Sequence, residues 1–125
     1  MMKIIATENA PAAIGPYSQA IEMGPFVFTS GQIPLKADGT LVEGGIQEQV
    51  QQVLANLDAV LKEAGVAREQ VIKATIFMVN LDDFGTVNQA YGDFFGSHRP
   101  ARSTVQVAAL PKGVQVEIEL IAYKG

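Results

Sequence analysis

Two stretches near the C-terminal end carry the residues best suited to chemistry. In Arg102-Ser103-Thr104-Val105-Gln106-Val107, strand alternation puts Arg102, Thr104 and Gln106 on one face and Ser103, Val105 and Val107 on the other. In the stretch Val114 to Tyr123, Val114, Val116, Ile118 and Leu120 form an apolar face, while Gln115, Glu117 and Glu119 point the opposite way. With helices covering the apolar face, Arg102, Thr104, Glu117 and Glu119 are expected on the open face, on adjacent strands. The planar fork of an arginine donates two parallel hydrogen bonds and suits a carboxylate ligand. A glutamate shielded from water has its acid form favoured and can orient or deprotonate a water molecule. The pattern alone leaves a second reading open, a plain cross-strand ion pair between Arg102 and Glu117, and Glu119 reads as structural.

Other chemistries find little support. The chain has no cysteine, which excludes disulfides, thiol catalysis and cysteine metal sites. Its single histidine, His98, sits in the loop-like Gly96-Ser97-His98-Arg99-Pro100; it reads as an ordinary surface residue, and no metal centre is expected. A net charge of -4 without any basic run argues against capture of nucleic acid or an anionic membrane. No apolar stretch is long enough for a signal-peptide core or a membrane span, so the chain reads as cytoplasmic.

The elements that must position these residues follow from periodicity. Residues 1–125 read as one domain. Strands are predicted at Lys3 to Thr7, Ser18 to Met23 and Phe26 to Ser30, the last two joined through Gly24-Pro25. Ile46, Val50, Val53, Leu54, Leu57, Val60, Leu61 and Ala64 recur at helical spacing, with Gly65 at the expected left-handed cap. A strand at Val71 to Val79 precedes a second helix, capped by Asp82 or Asp83, whose stripe is Phe84, Val87, Ala90, Tyr91, Phe94 and Phe95. Strands at Arg102 to Ala108 and Val114 to Tyr123 complete a β-β-β-α-β-α-β-β order. The fold class is therefore α+β, a mixed sheet with two helices on one face.

The second sheet face poses a problem. Ile72, Ala74, Ile76 and Met78 occupy one parity of their strand, while Val71, Lys73, Thr75, Phe77 and Val79 occupy the other, so both carry apolar residues, and Phe26-Val27-Phe28 also has bulk on both sides. A sheet apolar on both faces is normally buried on both. A second copy of the chain is the expected cover, which makes the protein a homo-oligomer; folding of loop 32–45 over that face is the alternative.

Arg99-Pro100-Ala101-Arg102-Ser103-Thr104-Val105, followed by Leu110-Pro111 and Val116-Glu117-Ile118-Glu119, resembles the signature of the reactive-intermediate deaminase family, RidA type. Gly15-Pro16-Tyr17-Ser18-Gln19-Ala20, Ser30-Gly31-Gln32-Ile33-Pro34, Asn80-Leu81-Asp82-Asp83-Phe84 and Val87-Asn88-Gln89-Ala90-Tyr91 fit its other motifs in order. The resemblance spans nearly the whole chain. It implies a chorismate-mutase-like fold and a homotrimer whose sheets line a central barrel, with sites between subunits. It also implies hydrolysis of 2-imino acids and their enamines, such as 2-iminopropanoate and 2-iminobutanoate, to 2-keto acids and ammonia, without a cofactor.

By the same resemblance Arg102 holds the substrate carboxylate and Glu117 positions the attacking water. Thr104 contacts substrate through its backbone, Tyr17 and Asn88 line the cleft, and the Gly31 backbone approaches the ligand. The rival readings are a non-catalytic trimer that binds or senses small carboxylates, an endoribonuclease or translation inhibitor, and a holdase-like assembly.

Overall fold

The computed structural model describes Met2–Gly125. Its strands are β1 (Met2–Ile5), β2 (Ala20–Met23), β3 (Phe26–Thr29), β4 (Val71–Met78), β5 (Ala101–Gln106) and β6 (Val116–Tyr123), with helices α1 (Ile46–Ala64) and α2 (Phe84–Phe95). The expected α+β order holds, with most strands shorter by one or two residues at an end. They form one sheet in the order β1-β2-β3-β6-β4-β5. Only the β4–β5 pair is parallel, joined through α2; the last strand returns to the middle, antiparallel to both β3 and β4.

Helix α1 forms where its apolar stripe demands it. Val50, Val53, Leu57 and Val60 are fully buried. The Glu48 carboxylate accepts a 2.8 Å hydrogen bond from the Gly45 amide at the N-terminus, and Gly65 closes the C-terminus at φ 75°. Truncating a buried leucine such as Leu57 to alanine costs about 2–5 kcal/mol. The short 3-10 turn Leu81–Asp83 that leads into α2 is capped by Asn80, whose Oδ1 accepts from the Asp82 amide at 2.9 Å. Neither Asp82 nor Asp83 supplies the expected capping bond.

Both helices cover one sheet face, where Val27, Ala74, Ile76, Met78, Val116, Ile118 and Leu120 are buried. A register shift between Val71 and Lys73 inserts Ile72 as an extra residue. Val71 therefore joins Ala74 and Ile76 in the core, and Ile72 turns outward, against the simple alternation expected there.

The opposite face is open and apolar. In register across it lie Met2, Met23, Phe26 and Tyr123, and then Ile4, Ile21, Phe28 and Ile121. The Phe26 ring packs 5.2 Å from Tyr123 and 6.2 Å from Phe28. Loop 32–45 does not cover this face: buried Asn56 of α1 donates to the carbonyls of Ile33 (3.2 Å) and Leu35 (2.8 Å), and Phe28 stays 44% exposed. No helix among the described residues is long and apolar enough to cross a membrane.

Candidate active site

Glu117 sits on the central strand β6, where alternation is strict: Val116, Ile118 and Leu120 face the helices, and Glu117 and Glu119 face away. The neighbouring chain shapes the space around it. Phe28 pairs with Ile121 and Gln32 with Ile118, so four steps on one side match three on the other. The surplus residue is accommodated at Thr29–Gly31. Thr29 Oγ1 replaces a main-chain acceptor for the Leu120 amide at 2.9 Å, and Ser30 is tied to Ser18 and Gln19.

Gly31 then lies directly against Glu117. A Cβ at position 31 would stand 2.8 Å from Glu117 Cδ and overlap the carboxylate itself. A cavity of about 580 Å³ opens here, with Tyr17, Ser30, Gly31, Lys112, Glu117 and Glu119 in its wall. Burial pushes the Glu117 acid above its ordinary range, and the charge of Glu119 adds to the effect.

Tyr17 reaches this cavity from the loop after β1. Buried Gln19 anchors that loop: its Oε1 accepts from the Thr7 amide at 2.6 Å, and its Nε2 donates to the Pro11 carbonyl at 2.7 Å. Lys112 enters from the β5–β6 connection with φ 59°, the one non-glycine residue at positive φ among those described.

Arg102 lies elsewhere. Strand β5 is a sheet edge, and its register sets Arg102 beside Ala74 and Thr104 beside Ile76, residues of the helix-covered face. Strand β4 separates it from β6, where Glu117 pairs with Phe77 on the open face. The expectation of Arg102, Thr104, Glu117 and Glu119 together on one face of adjacent strands is therefore corrected. So is the reading of Arg102 and Glu117 as a cross-strand ion pair. The apolar parity of the edge strand, Ser103 and Val105, was expected to meet the helices; the parallel pairing with β4 decides the matter the other way.

Helix α2 makes room for the guanidinium. Arg102 Nη1 donates to Asn88 Oδ1 at 2.7 Å. The Arg102 guanidinium carbon stands 5.0 Å from the Tyr91 ring centre and 5.4 Å from that of Phe84. Thr104 Oγ1 is buried nearby without a hydrogen-bond partner. Phe84 and Tyr91 were read from sequence only as helix core; their spacing from Asn88 on the same helix, three and four residues, was the available signal. His98, expected as an ordinary surface residue, is half-buried: its Nε2 lies 2.7 Å from the Val71 carbonyl, which ties the loop to β4.

The residues expected at the site thus form two groups in one chain, Tyr17, Gly31 and Glu117 on one side and Asn88, Arg102 and Thr104 on the other. No group of three or more metal-ligating side chains occurs among the described residues.

The profile of the family described as Endoribonuclease L-PSP matches residues 7–124. The chain is 48% identical to a protein of Salmonella typhimurium named 2-iminobutanoate/2-iminopropanoate deaminase, over 99% of each chain. Among solved structures, a putative endoribonuclease of Thermotoga maritima is 48% identical with a TM-score of 0.97, covering 100% of this chain and 99% of that one. TdcF of E. coli, solved with bound serine, is 45% identical with a TM-score of 0.94, covering 98% and 99%.

Proposed function

The chain belongs to the Endoribonuclease L-PSP family, in its reactive-intermediate deaminase branch, and from that membership we propose that it is a cytoplasmic enzyme that hydrolyses 2-imino acids such as 2-iminopropanoate and 2-iminobutanoate to 2-keto acids and ammonia. The observation that carries the reading is Glu117, a half-buried carboxylate whose neutral form is favoured by burial, seated on Gly31 in a cavity wide enough for a small acid. Several relatives are named for this activity. The serine in the TdcF structure joins a carboxylate to an amino-bearing carbon, as an imino acid joins one to its imine carbon.

The chemistry needs little beyond positioning. Arg102, steadied by Asn88, holds the substrate carboxylate and so fixes the imine carbon. Thr104 contacts the bound acid through its backbone, Tyr17 lines the cleft, and Gly31 leaves room for the ligand. A water on Glu117 attacks: its oxygen bonds to the imine carbon while Glu117 takes its proton. Glu117 returns this proton to the nitrogen, and a second proton, taken from water, makes the nitrogen a leaving group so that the C–N bond breaks. Loss of the hydroxyl proton then yields the 2-keto acid and ammonia.

Glu117 and Arg102 are separated by β4, two strand spacings of about 4.8 Å each, and project from opposite sheet faces. A three- or four-carbon acid does not reach both within one chain. A site assembled from the Glu117 cavity of one copy and the Arg102 edge of the next resolves this. It agrees with the open apolar face, which a ring of three chains would line and bury.

The test uses two inactive variants. Glu117→Gln and Arg102→Ala are each purified, then unfolded together and refolded as a mixture. Disappearance of 2-iminopropanoate, made in place by an amino-acid oxidase acting on alanine, is followed with a semicarbazide trap. For sites shared between copies, random mixing restores about a quarter of the wild-type rate, because each site draws from two chains. A mixture no faster than either variant rules out the shared site; a wild type no faster than buffer rules out the activity.

A further inference from the structure

Arg102 stands between two pockets. One, of about 440 Å³, is lined by Leu81, Phe84, Arg102 and Thr104. The other, of about 390 Å³, lies between α2 and β5, with Asn88, Tyr91, Arg99 and Arg102 in its wall. A lining residue of each carries a buried hydroxyl without a partner in the protein, Thr104 Oγ1 at the first and Tyr91 Oη at the second. Tyr91 is 5% exposed, so its hydroxyl has little access to bulk water.

The second pocket holds a second cation. Arg99 Nη1 donates to the carbonyls of Gly96 and His98, which braces the side chain on its own loop and leaves its Nε and Nη2 free. Asn88 gives its Oδ1 to Arg102, so its Nδ2 is left to donate. The groups presented are therefore two guanidiniums and an amide N–H, with the unpartnered Tyr91 hydroxyl enclosed behind them. A set of donors with this much positive charge is complementary to an oxyanion and to no cation.

We propose that the Arg99–Tyr91 pocket binds a second oxyanion beside the carboxylate held by Arg102, so that the site takes small acids with two acidic groups, the 2-imino dicarboxylates. The assignment rests on the reading above in one respect, that Arg102 holds the first carboxylate. The second oxyanion comes either from the same molecule or from a free anion such as phosphate, and the two sources are separable.

The experiment is calorimetric titration of the assembled protein with 2-oxobutanoate, 2-oxoglutarate and inorganic phosphate. The first two are a mono- and a dicarboxylic 2-keto acid. The wild type is expected to bind 2-oxoglutarate about tenfold more tightly than 2-oxobutanoate. In Arg99→Gln that ratio falls to about one, and in Tyr91→Phe, the conservative change, it falls part of the way. Phosphate that binds wild type alongside 2-oxobutanoate, and does not bind Arg99→Gln, places a free anion in the same pocket. A wild type with neither the preference nor phosphate binding overturns the proposal, as does a preference that survives Arg99→Gln. If 2-oxobutanoate fails to bind at all, the imine reading of the site falls separately, while phosphate still reports on the pocket.

Discussion

The two halves of the proposed site are built by different means. Glu117 stands on a central strand, and main chain shapes its surroundings: the bulge at Thr29–Gly31 and the bare Cα of Gly31. Arg102 stands on an edge strand with no neighbour on its outer side, and side chains hold it: the Asn88 amide and the rings of Phe84 and Tyr91. A wall of main chain does not yield to an added methyl group, so damage there is abrupt. A cradle of side chains gives way piecemeal, so damage there is graded.

The sharpest effect is expected at the glutamate. Glu117→Gln should lower kcat by about 100- to 10,000-fold, the range of a lost general base, with 2-keto acid binding retained in the same titration. Arg102→Ala should lower kcat/KM on the order of 100-fold through the loss of a charge-assisted pair. Comparable affinity of this variant and wild type for 2-oxobutanoate would remove Arg102 from the site. Gly31→Ala tests the main-chain wall; the displaced carboxylate should cost at least about tenfold in kcat, with melting temperature measured alongside to separate misplacement from unfolding. Phe84→Leu tests the side-chain cradle. It should raise KM by only about two- to tenfold, the worth of one cation–ring contact. If Phe84→Leu proves more damaging than Gly31→Ala, the contrast drawn between the two halves is wrong.

The smallest effect is one of stability and has a defined sign. Folding raises the Glu117 acid above its ordinary value, so between the two values the folded chain binds the proton more readily than the unfolded one. The stability this provides is complete below the ordinary glutamate value and disappears as pH rises through the folded one. Glu117→Gln keeps a neutral side chain throughout. Its melting temperature should match wild type in acid and exceed it modestly near neutrality. The acid limb of the wild-type pH–rate profile, where the carboxylate proposed as the base loses its charge, should lie above the usual glutamate range.

The same contrast between centre and edge governs what could be read from the residues beforehand. Strand β6 announces itself: four apolar residues at every second position fix which way Glu117 points. Helix α1 is equally plain, from its stripe to its closing glycine. Strand β5 has no buried apolar parity at all, and alternation separates Arg102 from Ser103 without saying which side meets the helices. Only pairing with β4 settles that, and pairing is a long-range choice. The outward turn of Ile72 was hidden for a related reason, since a bulge leaves no mark in local composition. The rings beside Arg102 were visible as residues but not as neighbours, because Phe84 and Tyr91 have spacings equally suited to a core.

The contact between Gly31 and Glu117 also bears on inheritance. Main chain at one position and a carboxylate at the other fill a single space, so the two positions are not free to drift independently. Any side chain gained at 31 displaces the glutamate or requires a smaller residue at 117. Among chains of this fold, a non-glycine at 31 therefore marks those that have surrendered a glutamate in this rotamer, and it can sort them before any assay is run.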